Sequence, residues 1–230
     1  QTSIGVGNGT AASSAYTGTI RASLTGASKL FKTDYGTLVL AGNNTYSGGT
    51  DIQFGTLSVS ADNNLGAANT GVTMVGGTLA TTASFDTNRN IALTQDGAIN
   101  VATGTQLGLT GTVSGSGALI KQGAGTLALT GANTYGSTRV QAGTLIGDSA
   151  SIRGNLQNAG TVIFNQTWDD SVSGMLIGNG AITKRGAGIL TLNGLNTLNW
   201  NIEQGTLVSD VTPYTANATI GAAGTLRFDQ

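Results

Sequence analysis

Apolar and polar residues alternate along this chain in short bursts, and each burst is closed by a glycine. In "DIQFGTLSVS" (51–60), Ile52, Leu57 and Val59 fall on one side of an extended chain, with Asp51, Gln53 and Ser58 on the other. "RVQAGTLIG" (139–147) sets Val140 and Leu145 against Arg139 and Gln141. "NIEQGTLVS" (201–209) sets Ile202 and Leu207 against Asn201 and Glu203. Period-two alternation marks a half-buried strand. The inward slot stays aliphatic while the outward slot changes, so each strand has one face to bury. Windows rich in Leu, Glu and Lys, which would favour helix, are absent.

The unit Gly-Thr-Leu and its close variants mark these strands at Gly36, Gly55, Gly77, Gly104, Gly125, Gly143, Gly160, Gly188, Gly205 and Gly224. The markers are about 21 residues apart on average. The two widest gaps, Gly77 to Gly104 and Gly160 to Gly188, read as coils carrying a loop insertion. A short strand, a glycine turn and a second short strand cannot bury an apolar side alone. Stacking the next lap on top buries it, and a period near 20 with two or three strands per lap predicts a parallel β-helix. Laps about 4.8 Å apart give a rod of roughly 50 Å. A β-propeller blade needs about 40–45 residues, and a sandwich gives no reason for the repetition. Glycine suits the turns because it adopts φ > 0 without strain, and asparagine tolerates the same region. On that ground Asn43, Asn44, Asn133 and Asn196 are expected to form left-handed corners.

Composition narrows the function classes. Charged residues are 9% of the chain against roughly a quarter in an average soluble protein, and the net charge is -1. That balance gives no electrostatic reason to expect nucleic acid or an anionic membrane as partner. Cysteine is absent, which removes disulfides and thiolate metal sites. No run approaches the ~20 apolar residues of a membrane-spanning helix. "QTSIGVGNGT" has no signal-peptide pattern, so the chain reads as a fragment or a processed product.

Longer phrases recur as well. "KTDYGTLVLAGNNTYSGGTDIQFGTLSVS" (32–60) returns as "LIKQGAGTLALTGANTYGSTRVQAGTLIGDS" (119–149), and a worn copy lies within 181–210. These phrases resemble the passenger-associated transport repeat of bacterial autotransporters. The second copy carries most of that family's phrase: Lys121, Gly123, Gly125, Thr126, Leu127, Leu129, Gly131, Asn133, Thr134, Tyr135, Thr138, Val140, Gly143, Thr144 and Leu145. The first copy has Asp34 in place of the leading glycine and Ile52 for the valine. The third keeps Lys184, Gly186, Gly188, Gly194, Asn196, Thr197, Gly205, Thr206 and Leu207, but has Leu198 for the tyrosine and Trp200 in the slot of Thr50 and Thr138.

Together the pattern and the resemblance give the expected architecture: all-β, a right-handed parallel β-helix, a single-stranded solenoid of about ten coils. It forms one unit over 1–230, with repeat phrases at 29–60, 118–149 and 181–210. The resemblance implies a type Va secreted passenger, exported through the outer membrane of a Gram-negative bacterium. In that family the repeat aids export and folding. It also implies a carboxyl-terminal β-barrel translocator in the parent chain, and no barrel-strand series is found in this sequence. The implied role is a surface stalk or adhesin segment meeting a host-cell surface, matrix or other bacterial cells. A non-catalytic scaffold for an enzyme domain elsewhere in the parent chain is the alternative.

Candidate chemistry is mostly excluded. There is no histidine, so no Ser-His-Asp triad or imidazole metal site exists within the chain. No catalytic, cofactor-binding or metal-ligating residue is assigned, no cofactor is expected, and the chain is read as no enzyme. Lys29, Lys32, Lys121 and Lys184 are read as solvated lysines at strand ends. Asp148, Asp210 and Asp229 each follow a marker glycine by five residues. Asp210 and Asp229 would lie one coil apart, a spacing that suits a retaining acid pair, against the plainer reading of turn aspartates. "WDDS" (168–171) is either a plain turn or a protruding loop in which Trp168 stacks a sugar. Tyr46 and Tyr135 are expected to pack a turn against the coil side. Phe54, Phe164 and Phe228 are expected in the core or its cap, with Trp200 inward.

Overall fold

The computed structural model describes residues 2–5, 15–209 and 216–229, the first of these as backbone only. Every strand pairs in parallel with one about a lap away, as in Thr37–Leu40 with Thr56–Val59 and Thr126–Leu129 with Thr144–Gly147. The predicted alternation holds at Leu38 and Leu40, Leu127 and Leu129, and Leu190 and Leu192, whose side chains are all buried, while Asp51 and Ser58, expected outward, are buried as well. The leucines join one continuous apolar column that runs from Leu30 to Leu207. No lap owns a core. Each supplies one layer and shields its neighbours, which is why the strands can be so short.

The laps pass through three sheets in turn. The first holds six strands, from Thr2–Gly5 through Leu30–Thr33, Thr50–Ile52, Val72–Met74 and Ile91–Leu93 to Val113–Ser114. The second holds nine, from Thr17–Ile20 to Leu176–Gly178. The third runs from Phe85–Thr87 through Gln106–Leu109, Thr126–Leu129, Thr144–Gly147, Thr161–Asn165 and Ala181–Arg185 to Trp200–Ser209. Asp170–Val172, Ile189–Leu192 and the later halves of Trp200–Ser209 and Ala218–Phe228 occupy the place in the lap that the first sheet had vacated. A strand, a crossover and a parallel strand in one sheet follow the right-handed sense almost without exception.

The marker glycines do not form one column, and this corrects the expected loop insertions. Thr37, Thr56 and Thr78 are stacked in register, but the partner of Thr78 is Ala98, with no residue of the Gly104 marker in that ladder. The marker at Gly104 opens the next sheet, where Gln106 stacks on Thr126, then Thr144 and Thr161. The partner of Thr161 is Ala181, and the marker at Gly188 again opens a different place in the lap. Each wide gap is therefore an ordinary lap plus a step to the following sheet. The markers change faces twice, and no lap is enlarged.

Where strands stop, side chains replace the ladder. A 3-10 turn, Asp62–Leu65, is held down by Arg89, which is 3% exposed. Its guanidinium donates to both carboxylate oxygens of Asp62 and to the carbonyls of Gly66, Ala67 and Thr70. Exposed side chains also bridge laps: Asn90, Asp96, Asn155, Asp169 and Asn199 each accept a backbone N–H from the lap above.

The inward and outward slots differ in energetic weight. Leu127→Ala should lower stability by about 2–5 kcal/mol in chemical denaturation, because it opens a cavity between two laps. Thr126→Ala, one position away on the outer face, should change it by less than about 0.5 kcal/mol.

Candidate functional site

The repeat phrase opens on a lysine, and that lysine is in the core. Lys32, Lys121 and Lys184 are each 0% exposed, contrary to the expected solvated strand ends. Their stems occupy inward positions of the ladder: Lys32 pairs with Ile52, Lys121 with Ile99 and Val140, and Lys184 with Phe164 and Ile202. The four methylenes pack as a core side chain would, and only the head turns aside. The signal was present in "LIKQ" and "AITKR", where the lysine falls in the aliphatic slot of the alternation. Lys29 alone of the four reaches solvent, 3.4 Å from Asp51.

Each buried ammonium meets a fixed set of carbonyls. Lys121 Nζ donates to Gln122 and Gly123, both at 2.7 Å, and to Ala142 of the lap above at 3.2 Å. Lys32 Nζ reaches Thr33 and Asp34 at 2.7 Å and Phe54 at 3.0 Å. Lys184 Nζ reaches Arg185 at 2.8 Å, Gly186 at 2.6 Å and Gln204 at 3.2 Å, with Gln166 at 3.4 Å. The lysine thus closes its own turn and clips it to the next lap. The residue after the upper carbonyl is always the second marker glycine, Gly55, Gly143 or Gly205, at φ of 63°, 69° and 74°. A Cβ on Gly143 would lie 2.8 Å from Lys121 Nζ, and one on Gly205 would lie 2.8 Å from Lys184 Nζ. The leading glycine of the phrase also has positive φ, and where the first copy puts Asp34 there it keeps φ at 62°.

The asparagine corners work differently from the expectation. Among the described residues Asp34 is the non-glycine residue with positive φ, so Asn44, Asn133 and Asn196 are not left-handed. All three are buried; the amides of Asn44 and Asn133 act across laps, whereas that of Asn196 stays in its own turn, bonded to the N–H and carbonyl of Leu198. Asn44 accepts from Leu24 N at 2.8 Å below and donates to Asn64 O at 2.6 Å above. Asn133 accepts from Val113 N and donates to Ser151 O, both at 2.8 Å. Tyr46 and Tyr135 are buried beside them, as expected. Their hydroxyls bond to Thr50 at 2.7 Å and Thr138 at 3.0 Å, and burial raises both phenol pKa values. In the third copy Leu198, in the tyrosine slot, and Trp200, in the threonine slot, are both buried, and the Trp200 indole donates to Asn196 at 3.1 Å.

The remaining candidates are dispersed. Asp148 accepts from Ala150 N and Ser151 N within its own turn, and Asp229 pairs with Arg227 at 2.8 Å. Asp210, and with it the proposed acid pair, lies outside the described residues. Phe164 is buried against Trp200, as expected. Phe54 and Phe228 are instead 47% and 52% exposed, and Phe54 lies against Tyr35 on the outside of a turn.

"WDDS" does not sit on an enlarged lap. Asp169 accepts from Ile189 N at 2.9 Å, and Asp170 begins a strand and accepts from the Ser149 hydroxyl at 2.6 Å. That hydroxyl, followed by the Ser171 backbone, holds the Asp170 carboxyl below its ordinary pKa, and Arg153 and the Trp168 indole add to the effect. Beside Asp170 runs a groove of about 360 Å³. Its walls carry Ser149, Arg153, Asn155, Ser171 and Ser173, and its floor is Gly136, Gly154 and Gly174. A Cβ on Gly154 would overlap the Gly136 carbonyl, and one on Gly174 would overlap that of Gly154. The laps stack backbone on backbone here, with no room for a side chain between them.

Three measurements check the clamp. Lys121→Met keeps the stem and strands three carbonyls, so stability should fall by about 2–5 kcal/mol. Asp34→Gly relieves a left-handed aspartate and should raise it by about 0.5–1 kcal/mol. Burial pulls Lys121 and Lys184 down to about 8, while the carbonyls act to keep them charged. Between that value and the ordinary 10.5 the folded lysine holds fewer protons than the unfolded one, so stability should rise with pH over this window. Denaturation midpoints from about pH 8 to 10 should climb, and Lys121→Met should flatten part of the climb.

The passenger-associated-transport-repeat family matches residues 30–59, 119–146 and 182–208, the segments that hold the three clamps. Over 189 residues, 80% of this chain, the sequence is 42% identical to the adhesin BmaC autotransporter of Brucella suis biovar 1 (strain 1330). The chain spans 6% of that relative's length. No solved structure matches. Three matched repeats, each folded round the same buried lysine, place this chain in the autotransporter passenger family, as a β-solenoid of passenger-associated transport repeats.

Proposed function

We propose that this solenoid is an adhesive stalk on the bacterial cell surface, which holds cells to a host surface, to matrix or to one another through its lateral faces. The similarity to an autotransporter adhesin over most of the chain is the observation that carries the reading. The outer faces suit the role. Thr17, Thr37, Thr56 and Thr78 form one stacked column, and Thr126, Thr144 and Thr161 form another. Short, β-branched, uncharged side chains on a stiff ladder lose little conformational entropy when covered. The protein acts by binding and not by turnover, a reading supported by the adhesin among its relatives. Its partner in the parent chain is the translocator that exports it.

Beads coated with this protein should be retained on cultured host cells, on immobilised matrix protein or on each other, above beads coated with an unrelated β-solenoid. Retention on none of the three overturns the adhesive reading.

A further inference from the structure

We propose that the glycine-floored groove beside Trp168 binds a neutral oligosaccharide, laid along the rod axis. The proposal rests on the adhesive reading above and gives it a ligand class. Four observations carry it.

The first is shape. A volume of about 360 Å³ lies within the range of about 300–1,000 Å³ for small-ligand sites, and the groove crosses successive laps, from Gly136 past Gly154 to Gly174. A linear chain fits such a channel better than a compact ligand does.

The second is the aromatic platform. Trp168 is 46% exposed, a large area for a side chain with no core to join. Its backbone is also held. Gln166, 0% exposed, donates to the Trp168 carbonyl at 2.9 Å and accepts from Ser149 N at 3.0 Å. The indole lies against Asp170, which the buried Ser149 hydroxyl holds in place. An exposed indole at that edge offers its face to the C–H side of a pyranose ring.

The third is the polar wall. Arg153 is exposed, and its backbone is pinned by the second repeat: its N–H donates to Tyr135 Oη at 3.2 Å and its carbonyl accepts from Thr138 Oγ1 at 2.8 Å. The guanidinium spends one donor on Ser149 O at 3.1 Å. Asn155 uses its oxygen on Met175 N at 2.9 Å, which leaves the amide N–H groups facing outward. Donors from Arg153 and Asn155, with the Asp170 carboxylate and the Ser171 and Ser173 hydroxyls, make a set of fixed groups suited to sugar hydroxyls.

The fourth is charge. The Arg153 guanidinium is countered by the Asp170 carboxylate whose field it shares, so the groove gives an anionic ligand no net attraction. This favours a neutral sugar over a uronate or a sialylated chain, and over an acidic peptide.

The test follows the two indole N–H resonances by NMR, with Trp168→Phe assigning them. Cellotetraose and N-acetyllactosamine represent matrix-type and host-type neutral chains, and a hyaluronan tetrasaccharide is the acidic contrast. The expected result is a shift of the Trp168 resonance with at least one neutral sugar, while buried Trp200 stays in place and reports an intact fold. Arg153→Ala should weaken that binding about tenfold, the loss of a charge-assisted hydrogen bond. The proposal is overturned if neither neutral sugar moves Trp168, if only the acidic sugar does, or if Trp168→Ala and Arg153→Ala bind as the parent does. Beads carrying Trp168→Ala separate the two readings. If they hold cells as well as the parent while the parent binds sugar, adhesion uses another face. If the parent binds sugar and holds no cells, the groove stands and the adhesive reading falls.

Discussion

Parallel laps bury the carbonyls of each corner beneath the next lap, and a buried carbonyl without a donor costs about 1–3 kcal/mol. Within the sheets the ladder answers this demand. At corners it cannot, because the chain turns and the register of donors is lost. The repeat phrase solves the problem with a single cation. A lysine stem fills a core position, and its ammonium supplies three donors to a turn that has three acceptors, as with Lys121 and the carbonyls of Gln122, Gly123 and Ala142. A neutral donor such as serine or asparagine could not reach from the core and satisfy all three. The length of the phrase then has a physical reason. It must run from the lysine past a full lap to the glycine directly above, so the unit of sequence is longer than the unit of structure.

The three phrases also differ in where they stand. Lys32 belongs to a strand of the first sheet, Lys121 to the second and Lys184 to the third. Each copy is therefore turned by one face relative to the last, and each edge of the prism receives one clamp. The corner carrying Asn44, Asn133 or Asn196 turns with it, so one strand position per lap gives way to a loop on a different face in each copy. An outer sheet is interrupted in only one of these places, while the core column continues through all of them. This is how the rod stays regular inside and varied outside.

Much of this was legible in the residues and some was not. Alternation in "TLVL", "TLAL" and "ILTL" fixes which leucines are inward, and the period fixes the winding. The change of face at Gly104 and Gly188 was hidden, since one-dimensional spacing records the distance along a lap but not which sheet receives the strand. The buried lysines were hidden by the usual weight given to charge: an ionised head suggests water, although the aliphatic slot in "LIKQ" argued otherwise. The asparagine corners were given a backbone explanation, when the side-chain amide was the working part. In each of these cases the deciding partner lies about 20 residues away, one lap above or below.

That same distance connects scaffold to surface. Tyr135 and Thr138 are repeat residues in the interior, yet their hydroxyls hold the backbone of Arg153 one lap later. The glycines of the corner are required because laps there touch backbone to backbone, and the groove from Gly136 to Gly174 follows them across the laps. The side chains that border this groove are free to vary, because the backbone beneath them is already held by the lap below. Surface chemistry can therefore change at Trp168, Arg153 or Asn155 without disturbing Lys121, Asn133 or Tyr135, and the repeat retains its form while the surface varies.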